Sequence, residues 1–419
     1  MKLAFLGLGS RGLDVYVRHL TKYKDVEVTA VCDINAQTVA YARAHFSLQS
    51  AQGFTSEDAL FAAGKLADAL VISTLDQDHY RHAIKALNLG YNLLLEKPVS
   101  TKVEEIEEIA ALAKQKGLKV LVCHVLRYAP FYRKIKDVLA SGELGEVLSI
   151  THQENIGYWH FSHSYCRGNW RDSNVTTPML LAKCCHDFDL FQWFVDKPCK
   201  SVSSYGDLSF FNKKNQPDGA ANSCLDGCKY YDSCPYSVKK IYLAKTGILH
   251  YSARQITGLP SPSQSQFEQA LRKNNYGKCV FATDNNVCDH QVVSMEFDGG
   301  ATVSMAVSAF SKDCFRNIHV HCSKGEIIGR DIDNKFVVNV FGGKSRVVKT
   351  KIAGKGHLGG DLGICATFHS LMNNQPVDEN YMTTIDVTLL SHQAVFAAEK
   401  SRATGKKVLK CINILYEVL

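Results

Sequence analysis

Five short apolar runs, each but the last followed by an amphipathic stretch, fill the first 123 residues: KLAFLGL then 10–22, VEVTAVCD then 35–46, ADALVIST then 77–89, NLLLEKP then 102–116, and finally KVLVCHV. Strands that alternate with helices are joined by right-handed crossovers, and such crossovers place consecutive strands parallel. Residues 1–123 are therefore predicted to form a doubly wound parallel sheet of the nucleotide-binding type.

Beyond this point the texture changes. VVSMEF, ATVSMAVSAF, NIHVHCS and KFVVNVF alternate apolar and polar residues and follow one another with no helix between them. That period of two predicts a large, mostly antiparallel sheet. A polar, cysteine-bearing loop at about 212–280 interrupts it, and helical patterns near 361–373 and 384–403 close the chain. The fold class expected is α/β, with a second α/β domain at 124–419. A chain of 419 residues exceeds what one ordinary core accommodates, in keeping with two domains.

Hydrophobic content of 46% and charged content of 21% fit a soluble globular protein. No run approaches the roughly 20 apolar residues of a spanning helix. The opening MKLAFLGLGSRG is broken by Gly7, Gly9 and Arg11 and reads as a strand, not a signal peptide. A cytoplasmic protein without a membrane partner is expected. The net charge of +7 is dispersed, with no aromatic-interleaved basic block, so nucleic acid is not an expected partner. Fifteen cysteines without a secretory signal are expected as thiols or metal ligands.

Gly7, Gly9 and Gly12 form G-x-G-x-x-G after the first strand and at the start of a helix. The first two allow a tight turn and close approach of a pyrophosphate, and the third lets helix pack on strand. Asp33 follows Gly12 by 21 residues, where a carboxylate accepts hydrogen bonds from ribose hydroxyls and repels a phosphate. NAD is the expected cofactor. A cap for the helix starting near Asn35 is the alternative role for Asp33.

The glycine loop, LEKPVS at 95–100, STLDQDHYRHAIKAL and RYAPFYRKIKDVLASGELGEV together resemble the Gfo/Idh/MocA oxidoreductases, the glucose-fructose oxidoreductase and inositol dehydrogenase family. The resemblance implies an N-terminal Rossmann domain and a C-terminal α/β domain on a large open sheet. A sugar or cyclitol binds between them, and the sheet's open face assembles a homo-dimer or homo-tetramer. It further implies that Lys97 contacts both substrate hydroxyl and nicotinamide ribose. Glu96 precedes it, Pro98 fixes the turn, and Ser10, Arg11, Thr74 and His79 lie at the cofactor. Physical reasoning also selects Lys97, because ligands of doubly wound folds bind in the crevice at the carboxyl ends of the strands.

In the family's dehydrogenases a helix usually opens L-L-D-x-G-x-H-D. Here LLAKCCHDFDL aligns its histidine as His186 and puts Ala182 in the aspartate's place, with Lys183 beside it. At 100° per residue Cys184, Phe188, Phe191 and Val195 form one stripe, opposite Lys183, His186, Leu190 and Trp193. This predicts a helix with one buried face and one face on a cleft. His186 is the expected general base and Lys183 a contact to an anionic or hydroxyl-rich substrate.

CLDGCKYYDSCPY supplies Cys224, Cys228 and Cys234, and Cys279 is the candidate fourth ligand of a structural zinc. Free thiols and a disulfide are the alternatives. Residues 152–173 are dense in aromatic, His, Asn and Arg side chains suited to sugars. Asn155, Trp159, His163, Arg167 and Trp170 are substrate candidates, as is His290 in DNNVCDHQ.

The expected activity is an NAD-dependent sugar or cyclitol dehydrogenase. The competing readings are a glycoside hydrolase or lyase that oxidises C3 transiently and eliminates the aglycone, and a non-catalytic NAD-binding regulator.

Overall fold

The computed structural model describes residues 1–244, 249, 252–351, 356–409 and 417–418. Each apolar run of the first 123 residues is a buried parallel strand: β1 (Lys2–Leu6), β2 (Glu27–Cys32), β4 (Ala69–Ile72), β5 (Asn92–Leu95) and β6 (Val120–Val122). A sixth, β3 (Gln52–Phe54), pairs with β2 at the sheet edge. Its three residues are too short and too exposed to show a period. The order is β3-β2-β1-β4-β5-β6. Apolar clusters cover both faces, one around Leu3, Phe5 and Tyr16, the other around Leu6, Ile72 and Leu95. The order reverses between β1 and β4, which opens a crevice at their carboxyl ends.

The second sheet has ten strands in the order β14-β13-β12-β11-β7-β10-β9-β8-β15-β16. They are β7 (Val147–Gly157), β8 (Cys199–Asp207), β9 (His290–Phe297), β10 (Thr302–Ser311), β11 (Phe315–Cys322), β12 (Gly325–Arg330), β13 (Lys335–Val340), β14 (Arg346–Lys349), β15 (Val408–Leu409) and β16 (Glu417–Val418). β7 and β10 are parallel, and the other described pairs are antiparallel, so the sheet is mixed and mostly antiparallel.

One face is covered by the helices Met179–Val195 and Ile385–Thr404, within the cluster that includes Phe188, Val303 and Val395. The other face exposes Leu148, Tyr205, Val292, Ile328 and Val347. No helix among the described residues is long and apolar enough to cross a membrane.

The helix Met179–Val195 corrects the expectation of one open face. All its residues but Lys183 and Gln192 are buried. It packs between the sheet, the helix Ile385–Thr404 and the first domain, which enclose its polar residues along with its apolar ones. Arg127, just beyond β6, pairs with Asp189 on this helix (Nε to Oδ2, 2.7 Å). Val122 N donates to Thr383 O at 2.8 Å, bringing the C-terminal helix back against the first sheet.

Candidate active site

The glycine loop has the shape that its residues require. Gly7 has φ +90°, and a Cβ there would stand 2.6 Å from Ser73 O. A Cβ on Gly12 would stand 2.0 Å from Gly7 O, so only glycine lets the helix start this close to the strand. At Gly9 a Cβ would meet nothing within 4 Å. That open space is where a pyrophosphate approaches the backbone, so the cradle fits a dinucleotide. Asp33 accepts from Leu8 N (2.7 Å) and Asn35 N (2.9 Å), and Asn35 itself caps the next helix through Gln37 N and Thr38 N. Asp33 thus braces the loop while lining a cavity of about 820 Å³ that also includes Gly7, Gly9, Ser10, Arg11, Thr74, His79, Glu96, Lys97 and Trp170.

At the carboxyl end of β5, Glu96 is buried and receives Arg11 Nε at 2.6 Å, Lys97 N at 3.0 Å and the Tyr16 hydroxyl. Burial opposes its ionisation, but Arg11 and Tyr16 outweigh it and hold the carboxyl below the usual range. Arg11 also reaches Asp361 (2.9 Å), on the helix Gly360–Met372, and so ties the loop to the second domain. His79 spans two turns, with Nδ1 2.7 Å from Pro98 O and Nε2 3.2 Å from Thr74 O. Both ring nitrogens therefore face carbonyls, and the ring positions the Lys97 turn. Thr74 Oγ1 lies 3.0 Å from His82 Nδ1.

The absent aspartate is replaced by the main chain. Lys97 Nζ donates to Ala182 O at 2.8 Å, so the carbonyl of the residue that lacks a carboxylate orients the ammonium. One turn on, His186 is buried, and neither ring nitrogen has a hydrogen-bond partner among the described residues. Burial, then the charge of Lys97, holds its pKa well below the usual 6.5, so the ring is neutral. Its neighbours are His124, edge to face at 5.6 Å, and His357 at 6.1 Å. His124 is likewise buried with both nitrogens unpartnered among the described residues.

Lys183 is not a free rim cation. It lies 3.3 Å from Glu154 Oε1 on β7, while Glu154 Oε2 lies 2.8 Å from Arg316 Nε. Burial disfavours the ammonium, but Glu154 outweighs it and raises the Lys183 pKa. Arg316 also binds Asp187, which in turn sits 2.8 Å from His152 Nε2. A buried ionic network thus supports the helix that carries His186.

The substrate candidates separate. Asn155 is buried and accepts from Ser311 Oγ at 3.0 Å, and its Nδ2 has no partner among the described residues. Trp170 lines the cavity with a buried indole N–H that has no partner among the described residues. His163 and Trp159 instead pack into the insertion: His163 Nδ1 is 3.0 Å from the Tyr242 hydroxyl, and Trp159 joins the small apolar cluster there. Arg167 is corrected. It is buried, and its donors serve Lys278 O and Tyr236 O, both 2.8 Å away in the insertion. His290 is half exposed at the start of β9, bound to Asp289 at 2.8 Å, a local pairing at the sheet's end.

Sequence reasoning missed His124, Glu154 and Arg316. His124 carried a signal, since it follows a parallel strand as Lys97 does. The other two meet only through long-range packing.

The model of the oxidoreductase family's NAD-binding Rossmann fold, GFO_IDH_MocA, matches residues 1–124, and that of its C-terminal alpha/beta domain matches residues 136–405. The chain belongs to the Gfo/Idh/MocA oxidoreductases. It is an NAD-binding oxidoreductase of that family. Over 314 residues it is 25% identical to the oxidoreductase YteT of Bacillus subtilis, covering 73% of this chain and 71% of that one. It is 23% identical over 207 residues to the inositol 2-dehydrogenase of Salmonella typhimurium, covering 49% of this chain and 57% of the relative. Among solved structures, an NAD binding oxidoreductase from Klebsiella pneumoniae superposes with a TM-score of 0.71 at 15% identity over 98% of each chain. The WlbA dehydrogenase of Chromobacterium violaceum, in complex with NADH and UDP-GlcNAcA, gives 0.66 at 16% identity over 98% of this chain and 95% of its own. At these identities the structural likeness establishes the fold.

Proposed function

We propose that this protein is an NAD-dependent dehydrogenase acting on a hydroxyl of a sugar, sugar derivative or cyclitol. The observation that carries the reading is Lys97, which lines the glycine-loop cavity and is oriented by Ala182 O, together with a buried His186 one turn further along that helix, whose ring nitrogens have no partner among the described residues. NAD, when bound, supplies the hydride acceptor. Gly7, Gly9 and Gly12 with Ser10 and Arg11 would hold its pyrophosphate, Asp33 its ribose, and Thr74, His79 and Glu96 the turn beside it. The Lys97 ammonium stabilises negative charge developing on the substrate oxygen. As the C–H bond gives up a hydride, the O–H proton passes to His186 and the carbonyl forms. Asn155, Trp170 and Lys183 would read the remaining hydroxyls. The relatives' named activity on inositol and the sugar nucleotide bound to WlbA support this substrate class.

The exposed apolar residues of the open sheet face support a homo-oligomer. A zinc on Cys224, Cys228, Cys234 and Cys279 would be structural, giving order to a polar loop with little apolar material of its own.

Incubation with NAD and a panel of sugars, cyclitols and their nitrophenyl glycosides tests the reading. Stoichiometric NADH is expected. Aglycone release without net NADH, with solvent deuterium entering C2, would establish the elimination reaction instead. Tight NAD binding with no turnover would establish a regulator.

A further inference from the structure

The open face of the second sheet carries a side-chain cluster that hydride transfer does not use. Along β11 side chains alternate between the two faces, so Ile318 and Val320 are buried while His319 and His321 stand together on the other side. β11 pairs with β12 in a register that sets Glu326 directly opposite His321. β12 pairs in turn with β13, where Asn339 lies opposite Glu326. Residues directly opposite across a sheet share a face. Two neighbouring strands therefore present a His-x-His pair and a carboxylate together, with an amide beside them on a third.

Contacts join these four side chains. His319 Nε2 lies 2.7 Å from Glu326 Oε2, and the His319 and His321 rings lie 3.7 Å apart between centroids, inclined by 35°. Asn339 Nδ2 donates to Glu326 Oε1 at 2.7 Å. The amide holds one carboxylate oxygen and leaves the other turned to the histidines, which is how outer partners orient a metal-ligating carboxylate. Among the described residues, His319, His321 and Glu326 alone bring three potential ligand atoms, one from each, within 4.8 Å of one another. The side chains of His319 and Glu326 keep 32% and 24% of their surface exposed, so an ion reaches them from solvent. A hydrogen bond accounts for His319 and Glu326 but not for the second imidazole stacked on the first. A shared cation engages both rings.

The donor set selects the ion. Two imidazoles and a carboxylate suit zinc and its first-row neighbours, whereas calcium and magnesium take oxygen ligands. We propose that His319, His321 and Glu326 bind one zinc ion on the open face of the sheet, with Asn339 positioning the carboxylate. Three protein ligands leave the fourth position of a tetrahedral zinc to water. The ion staples β11 to β12. It stands apart from the redox chemistry, since none of the three side chains lines the glycine-loop cavity.

The test is to dialyse the whole protein against EDTA and titrate it with zinc chloride by calorimetry, following the melting temperature in parallel. The unmodified protein should take up an equivalent of zinc that both His321→Ala and Glu326→Gln lose, whatever the cysteine loop binds besides. Asn339→Ala should keep that equivalent but weaken it by about 10-fold or more. Zinc bound at this site stabilises the folded state, so its contribution to the melting temperature should vanish in Glu326→Gln. Glu326→Gln preserves side-chain shape, which keeps the result readable if loss of an imidazole disturbs the strand. Zinc uptake equal to that of the unmodified protein in either ligand variant overturns the proposal, as does an unmodified protein that takes up no zinc.

Discussion

Lys97 takes its orientation from a main-chain carbonyl, which no side-chain substitution at Ala182 removes directly. Replacing the ammonium itself should therefore be the more damaging change. Lys97→Met is expected to lower kcat/KM by about 10²–10⁴-fold while NAD affinity, measured by quenching of protein fluorescence, changes little. A parallel loss in NAD affinity would assign Lys97 to cofactor binding alone. His186 differs in kind, because burial and Lys97 keep its ring neutral below the usual pKa of 6.5. The acid limb of the kcat/KM profile should accordingly lie below pH 6.5, and His186→Asn should abolish that limb along with most of the rate. An acid limb at or above 6.5 would mean that another group is the base.

At the scale of single elements, the strand-to-helix turn separates packing from binding. Gly9 faces open space, so Gly9→Ala should leave stability within about 0.5 kcal/mol, as for surface changes generally. The added methyl occupies the space left for pyrophosphate, and NAD affinity should fall ~10-fold or more, which corresponds to about 1.4 kcal/mol. Gly12→Ala drives a methyl into Gly7 O, and the overpacking should cost about 1–3 kcal/mol of stability. Chemical denaturation paired with NAD titration of both variants distinguishes them. Equal stability losses would mean that the loop is not built on that close approach. The helix Met179–Val195 teaches the related point that a 100° projection finds apolar stripes, not neighbours. Its charged residues Lys183, Asp187 and Asp189 are paired with Glu154 on β7, Arg316 and Arg127 from other parts of the chain.

For the molecule as a whole, buried neutral histidines make stability depend on pH. Burial lowers His82 and His163 to about 4 and His392 to about 3, with His124, His160 and His186 lowered as well. Because the unfolded chain binds these protons first, the stabilisation is fully present above pH 6.5. It is lost progressively as the pH falls toward the folded-state values. Asp189, whose carboxyl burial raises against the pull of Arg127, works in the opposite sense. The urea midpoint should be flat from about pH 8 to 7 and fall steadily from about 6.5 to 5. A midpoint that rises on acidification would show that these rings are not buried neutral. The sheet's open face makes a separate prediction. Tyr205 and Val292 are paired across β8 and β9 and are 65% and 50% exposed. Replacing both with glutamate should reduce the mass measured by light scattering to that of one chain if this face joins subunits. An unchanged oligomer would place the interface elsewhere.

Local pattern was enough for the parallel sheet, the glycine turn and the place of Lys97 at the end of β5. Each depends on a few neighbouring residues, whether through period, turn geometry or position at a strand's end. β3 escaped because a strand of three residues carries no period. Folding decided how the candidate site is charged and where the aromatic stretch points. Ala182 contributes a carbonyl that no side-chain alignment reveals, Lys183 meets Glu154 from a strand distant in the chain, and Arg167 turns to the cysteine loop instead of a sugar. Burial is the physical reason: charges far apart in sequence find their partners only when the solvent between them has been removed.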